Sequence, residues 1–142
     1  EWDGFKNKEI AEKNGFKSWD KIVEGAFVNY ENLDNYHTGI HDYFCYLKYG
    51  FGRATMQASL QIRRKIISRK EALDRVEKLE GKYPISYLGK KLKEILKSIS
   101  ITEEEFINIC DQFTNKKIFK LNKDGSLYKD NTLSLKKNNY DN

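Results

Sequence analysis

Two glycines flank an aromatic in Lys48-Tyr49-Gly50-Phe51-Gly52-Arg53, with a cation on either side. Glycine tolerates positive φ and lets a backbone approach a ligand closely. Lysine and arginine beside such a bend supply donors for a phosphate or a carboxylate. The same residues also read as a helix stop at Gly50, a turn at Gly52 and two solvated cations. His37, His41 and Cys45 recur every four residues, which puts two imidazoles and a thiol on one helix face, where they can bind zinc. A fourth ligand would have to come from elsewhere, Cys110 being the other cysteine of the chain. Such side chains more often pack or face solvent, so the expectation is no metal. His41 and Asp42 are neighbours and point about 100° apart on a helix, so no acid-base pair is expected between them. Either can still reach a ligand alone. Arg63-Arg64-Lys65, with Arg69-Lys70 beyond, suits the C-terminal end of a helix. Arg63 is the candidate anion contact of that cluster.

Helices must position these groups. A first helix is expected over about Asn7 to Asn14, and a short second one from Lys17-Ser18-Trp19-Asp20 to Gly25. Residues 26–35 lack a period and read as a loop. A third helix runs from about Asn35 to Tyr49, with Tyr36, Ile40, Tyr43, Phe44 and Leu47 at helical spacing and Gly50 as its stop. A fourth runs from Arg53 to Ile66, with Met56, Leu60, Ile62 and Ile66 as expected core positions. Ser68 and Glu71 form a capping box for a fifth, which carries Ala72, Leu73, Val76 and Leu79 and stops at Gly81. Ser86 caps a sixth, with Leu88, Leu92, Ile95 and Leu96 on one face. Thr102 and Glu105 form a second capping box, opening a seventh with Phe106, Ile109, Cys110 and Phe113. Residues 117–129 read as a small β-hairpin turning at Asn122-Lys123-Asp124-Gly125. From Asp130 on the chain reads as a polar, flexible tail. The fold class is therefore mostly α, a compact multi-helix domain over 1–129 with a small C-terminal hairpin.

Composition narrows the function classes. One domain is the natural count for 142 residues. The core must be largely aromatic, because 9 Tyr, 8 Phe and 2 Trp stand in a chain that is 33% charged. A net charge of +5, with both signs interspersed, permits an anionic ligand but shows no basic stripe for nucleic acid. Two isolated cysteines fit a reducing cytosol, and no apolar run is long enough to span a bilayer. A cytoplasmic location is expected. The chain starts at Glu1 within helical sequence, which reads as a piece of a larger α/β enzyme. There is no Ser-Gly-Gly-x-Asp-Ser loop, no GxxxxGK[ST] and no GxGxxG, so no self-sufficient nucleotide site is present.

The run from His41 to Thr55, followed by Gln57-Ala58-Ser59 and Ile62-Arg63, resembles one family closely. It is similar to the C-terminal region of the N-acetyl sugar amidotransferases of bacterial surface-polysaccharide and flagellin-sugar biosynthesis. Ile67-Ser68-Arg69-Lys70-Glu71-Ala72 and Thr102-Glu103-Glu104-Glu105-Phe106 resemble later segments of that family. The resemblance covers about residues 1 to 120.

The resemblance implies a pyrophosphate-loop enzyme that uses ATP and Mg to activate an N-acetyl group by adenylylation. Ammonia then displaces AMP and leaves an acetamidino group. The implied substrate is a nucleotide-linked or nonulosonic sugar, and the ammonia comes from glutaminase and cyclase-like subunits. Lys48, Gly50, Gly52 and Arg53 are then the candidates for the sugar diphosphate, a carboxylate or the triphosphate. His41, Asp42 and Tyr49 rank second, for orienting the amide or sugar hydroxyls. Two departures are visible. The adenylylating loop is absent, so this chain alone is not expected to cleave ATP. Met56 stands where the family pattern leads one to expect an acid. The alternative reading is a non-catalytic helical module that docks the glutaminase partner or forms a homodimer.

Overall fold

The computed structural model describes residues 3–138. Six helices dominate: α1 (Gly4–Lys13), α2 (Thr38–Tyr49), α3 (Arg53–Arg63), α4 (Arg69–Leu79), α5 (Leu92–Lys97) and α6 (Glu103–Phe113). A two-stranded antiparallel ladder, β1 (Ser86–Tyr87) and β2 (Lys90–Lys91), precedes α5. The fold is mostly α.

Local chemistry explains most ends. Asp3 rather than Asn7 caps α1, accepting from the amides of Phe5 and Lys6. Gly50 ends α2 at φ +74°, a left-handed residue after a helix. Ser68 accepts from the amide of Glu71 at α4, and the full Thr102–Glu105 capping box opens α6.

The expected second helix is absent. Residues 17–25 form a loop that folds onto 26–29, with the Trp19 amide donating to the Asn29 carbonyl and the Val23 amide to the Val28 carbonyl. Pairing across this loop satisfies backbone groups that a helix would have satisfied within one turn. The expected sixth helix loses its first half. Leu88 and Gly89 both take positive φ, so Tyr87-Leu88-Gly89-Lys90 is a two-residue hairpin turn, and α5 starts only at Leu92.

Three clusters make the core. The largest joins Tyr43, Tyr46 and Leu47 of α2 to Leu92 and Leu96 of α5 and Phe106 and Cys110 of α6, with Tyr83 and Phe119. A second centres on Val23, Ala26, Tyr87, Leu88 and Ile95. In the third, α3 meets α4 through Ala54, Ala58 and Ala72, against Phe27 and Val28. Small residues let these helices approach closely, and this shifts the buried face of α3 from the expected one, of which Ile62 alone packs on the cluster. Met56 and Ile66 are exposed, while Ala54, Ala58 and Gln61 are buried. Tyr36, Leu73, Ile109 and Phe113, expected inside, are exposed as well.

The end of the chain also differs from expectation. Leu121 bridges Leu127 across the anticipated turn, but Phe119 also bridges Lys137 and Lys129 bridges Leu135. Leu135 is buried in the main cluster and Ser134 is buried beside it. Residues 130–138 are therefore part of the packed body, not a free tail. Residues 139–142 of that tail lie outside the described residues. Among the described residues, no helix is long and apolar enough to cross a membrane.

Candidate functional site

A cavity of about 320 Å³ opens between α2, the start of α3 and the segment from the end of α4 to β1. That volume lies within the range of small-molecule sites, about 300–1,000 Å³. Tyr43, Tyr46, Tyr83 and Tyr87 contribute four aromatic walls. Asp42, Glu24 and Glu80 supply carboxylates, and Arg53, Lys78 and Lys82 supply cations. The lining contains no histidine and no cysteine.

Arg53 and Asp42 form a forked pair. Nε of Arg53 donates to Oδ2 of Asp42 at 2.6 Å and its Nη2 to Oδ1 at 2.9 Å. Such a two-point contact fixes both side chains. Glu31 Oε2 stands 3.8 Å from the same guanidinium and also accepts from Gln57 at 2.7 Å. Burial is the largest single influence on Arg53 and opposes its charge, but the Asp42 hydrogen bond together with the charges of Asp42, Tyr87 and Glu31 outweighs it and raises the guanidinium pKa.

Glu80 reaches the other side of the Gly-Phe-Gly turn. Its Oε1 accepts from the amides of Gly52 at 2.7 Å and Thr55 at 3.0 Å, and its Oε2 from the Thr55 hydroxyl at 2.8 Å. The N-terminal end of α3 thus already holds an anion, supplied by the chain itself. This corrects the expectation that the glycine turn offers bare amides to a ligand phosphate. The Gly50 amide is likewise engaged, donating to the Tyr46 carbonyl.

The tyrosine walls are held neutral. Burial pushes Tyr46 up to about 12, helped by Glu80, and pushes Tyr87 up to about 12 against the opposing charge of Arg53. Burial also raises Tyr43 and Tyr83. Tyr87 donates from its hydroxyl to the Asn32 carbonyl at 3.1 Å. Close approach is needed to seat these rings. A Cβ at Gly39 would come within 2.7 Å of the Tyr87 ring, and one at Gly81 within 2.6 Å of the Tyr46 hydroxyl.

The candidate residues separate into two groups. Asp42, Gly52 and Arg53 line the cavity. His41 is exposed, but its Nδ1 lies 3.3 Å from Asp42 Oδ1, so these neighbours meet although no acid-base pair was expected between them. Rotation about their side-chain bonds closes the angle that the helix opens. Lys48, Tyr49, Gly50 and Arg63 lie away from it. Lys48 sits over the rings of Tyr49 and Phe113, and Gly50 abuts Ile118. Arg63 is exposed at the far end of α3, about 15 Å along the axis from Arg53. His37 meets Asn35 and Ser98, and His41 Nε2 is 3.9 Å from Cys45 Sγ. Among the described residues, no group of three His, Cys, Asp or Glu side chains could hold a metal ion.

Glu80, Lys78, Lys82, Tyr83 and Tyr87 were not read as site residues. They lie 25 or more positions after the glycine turn, and only folding brings them back to it.

Residues 24–134 match the family described as LPS biosynthesis protein WbpG-like, C-terminal domain. The chain belongs to this family. The match takes in the whole cavity and the segment to Ser134, and it excludes α1 and residues 14–23. It therefore starts later and ends later than the span read from the sequence resemblance. No curated protein matches the chain.

Proposed function

We propose that this domain is the sugar-binding part of an ATP-dependent N-acetyl sugar amidotransferase. The whole protein would convert an acetamido group to an acetamidino group on a nucleotide-linked or nonulosonic sugar, in the cytoplasm, with ammonia from glutaminase and cyclase-like subunits. The observation that carries this reading is the cavity itself, within the LPS-biosynthesis family domain. Flat aromatic walls suit the apolar face of a sugar ring, and a fixed Asp42–Arg53 pair suits its hydroxyl and amide groups. The lining offers no nucleophile of the Ser-His or Cys-His kind, which favours binding over autonomous catalysis.

Asp42 is engaged by Arg53, Glu80 by the end of α3 and Glu24 by the Leu88 amide, so each carboxylate of the lining already has a partner within the chain, which argues against a site for ATP with Mg in this cavity.

The test is turnover by the native gene product with ATP, ammonium and an N-acetylated nucleotide sugar. Mass spectrometry reads the exchange of the amide oxygen for NH, together with AMP release. Arg53→Lys and Arg53→Ala should each lower turnover at least about tenfold, close to 1.4 kcal/mol, while both variants keep a cooperative unfolding transition. Wild-type turnover in folded Arg53→Ala would refute the assignment.

The second reading, a module that docks a partner or pairs with a second copy, draws on one observation. Tyr49 and Phe51 are exposed with ring centroids 6.1 Å apart, next to Lys48 and Phe113. Sedimentation of the purified protein with and without the glutaminase subunit distinguishes it from the first.

A further inference from the structure

The charges around the cavity are unequally engaged. Each of its carboxylates is held from within the chain. Glu24 accepts from the Leu88 amide at 3.1 Å, Asp42 holds Arg53, and Glu80 closes α3. Arg53 shares its charge with Asp42 and Glu31. Lys78 and Lys82 differ: both line the cavity and are exposed, and neither ammonium group forms a hydrogen bond or ion pair with another described residue. They bracket Glu80-Gly81, where the chain leaves α4 beside Tyr46 and Tyr83. The lining balances three carboxylates against three cations, but the two cations whose side chains have no partner among the described residues both lie along this one edge. An ammonium on a flexible stem is a compact donor suited to a phosphate or carboxylate oxygen.

We propose that Lys78 and Lys82 form the anion subsite of this cavity, holding a phosphate or carboxylate carried by the sugar whose ring lies against the tyrosines. This rests on the sugar-site reading above and moves the anion contact from Lys48 and Arg53 to the α4–β1 segment. Phosphate and carboxylate share the chemistry, and a set of probes separates them.

Calorimetric titration of the protein uses N-acetylglucosamine, its 1-phosphate, the matching N-acetylated uronic acid and inorganic pyrophosphate. At least one anionic sugar should bind about tenfold more tightly than the neutral one, and which one does so identifies the anion. Lys78→Gln/Lys82→Gln should bring that sugar down to the neutral level and leave the neutral affinity unchanged. Lys48→Gln, far from the cavity, should change nothing. A preference that survives the double variant overturns the proposal, as does equal binding of neutral and anionic sugars, which would leave the sugar reading standing. Pyrophosphate binding that is lost in the double variant, with no sugar bound at all, supports the subsite and refutes the sugar reading. Absence of binding by every probe overturns both.

Discussion

Glu80 accepts a hydrogen bond from the Gly52 amide across 28 residues of sequence, at 2.7 Å. The contact ties the end of α4 to the start of α3 and places the chain's own carboxylate where a ligand anion was expected. Gly52 has room for it: a Cβ there would sit 3.3 Å from Glu80 Oε1. The glycine turn is thus part of the scaffold of the cavity, and Arg53, the next residue, is delivered to Asp42 by it.

Removing that carboxylate should loosen the site. Glu80→Ala strips an N-terminal cap from α3 and is expected to cost about 1–2 kcal/mol. In a domain of this size that is a fall of about 3–8 °C in Tm. Glu80→Gln keeps an acceptor and should fall between the two. Thermal unfolding followed by circular dichroism reads both, and an unchanged Tm in Glu80→Ala would show that the contact contributes nothing.

The Asp42–Arg53 pair should behave as one unit. Both side chains are largely buried, at 13% and 17% exposed, so either single alanine variant strips the remaining charge of its two-point partner. Each is expected to cost about 2–4 kcal/mol. The double variant removes both charges and should cost less than the sum by at least about 1 kcal/mol. Urea unfolding of the four proteins in the cycle gives the coupling directly, and additivity would show that the two charges act independently.

Gly81 and Gly25 share a φ of +74° but have different surroundings. Nothing lies within 4 Å of a Cβ at Gly25, whereas one at Gly81 would strike the Tyr46 ring. Gly25→Ala should therefore cost only the conformational part, about 1 kcal/mol. Gly81→Ala should cost more and should also weaken sugar binding by displacing a cavity wall. Equal losses in the two variants would place Tyr46 away from Gly81 in solution.

Alkaline pH should unfold the domain through its tyrosines. Tyr46 and Tyr87 sit at about 12 in the folded state against an ordinary 10.0, because burial disfavours the phenolate. The folded pKa is raised, so the stabilisation is complete below pH 10 and is lost as pH rises from about 10 to about 12. Stability to urea should decline across that window, and tyrosinate absorbance from these residues should appear together with unfolding. Tyr46→Phe should flatten the decline. Tyrosinate forming fully near pH 10 in the native protein would refute the burial of these rings.

Much of the helical framework was legible in the residues alone. Gly50 as a stop and the caps at Ser68 and Thr102 use interactions within a few positions, so local sequence suffices to place them. The reading failed at Trp19–Gly25 and Ser86–Lys91, where helix-compatible residues pair instead with distant or hairpin partners. It failed on α3 for a related reason. An apolar period points to Met56 and Ile66, which are exposed, because the neighbouring helix selects the alanine face that lets it come close.

The sequence by itself determined the mostly α class, three of the residues that line the cavity, and the family resemblance carried by the run from His41 to Thr55. Tertiary structure alone decided that Arg53 is neutralised by Asp42, that Glu80 fills the end of α3, and that the cations left over are Lys78 and Lys82. Caps and periodicity act over a few residues of chain, whereas the charge balance of a cavity depends on which groups meet in space. That meeting is set by the packing of α2, α3 and α4, and no spacing along the chain encodes it.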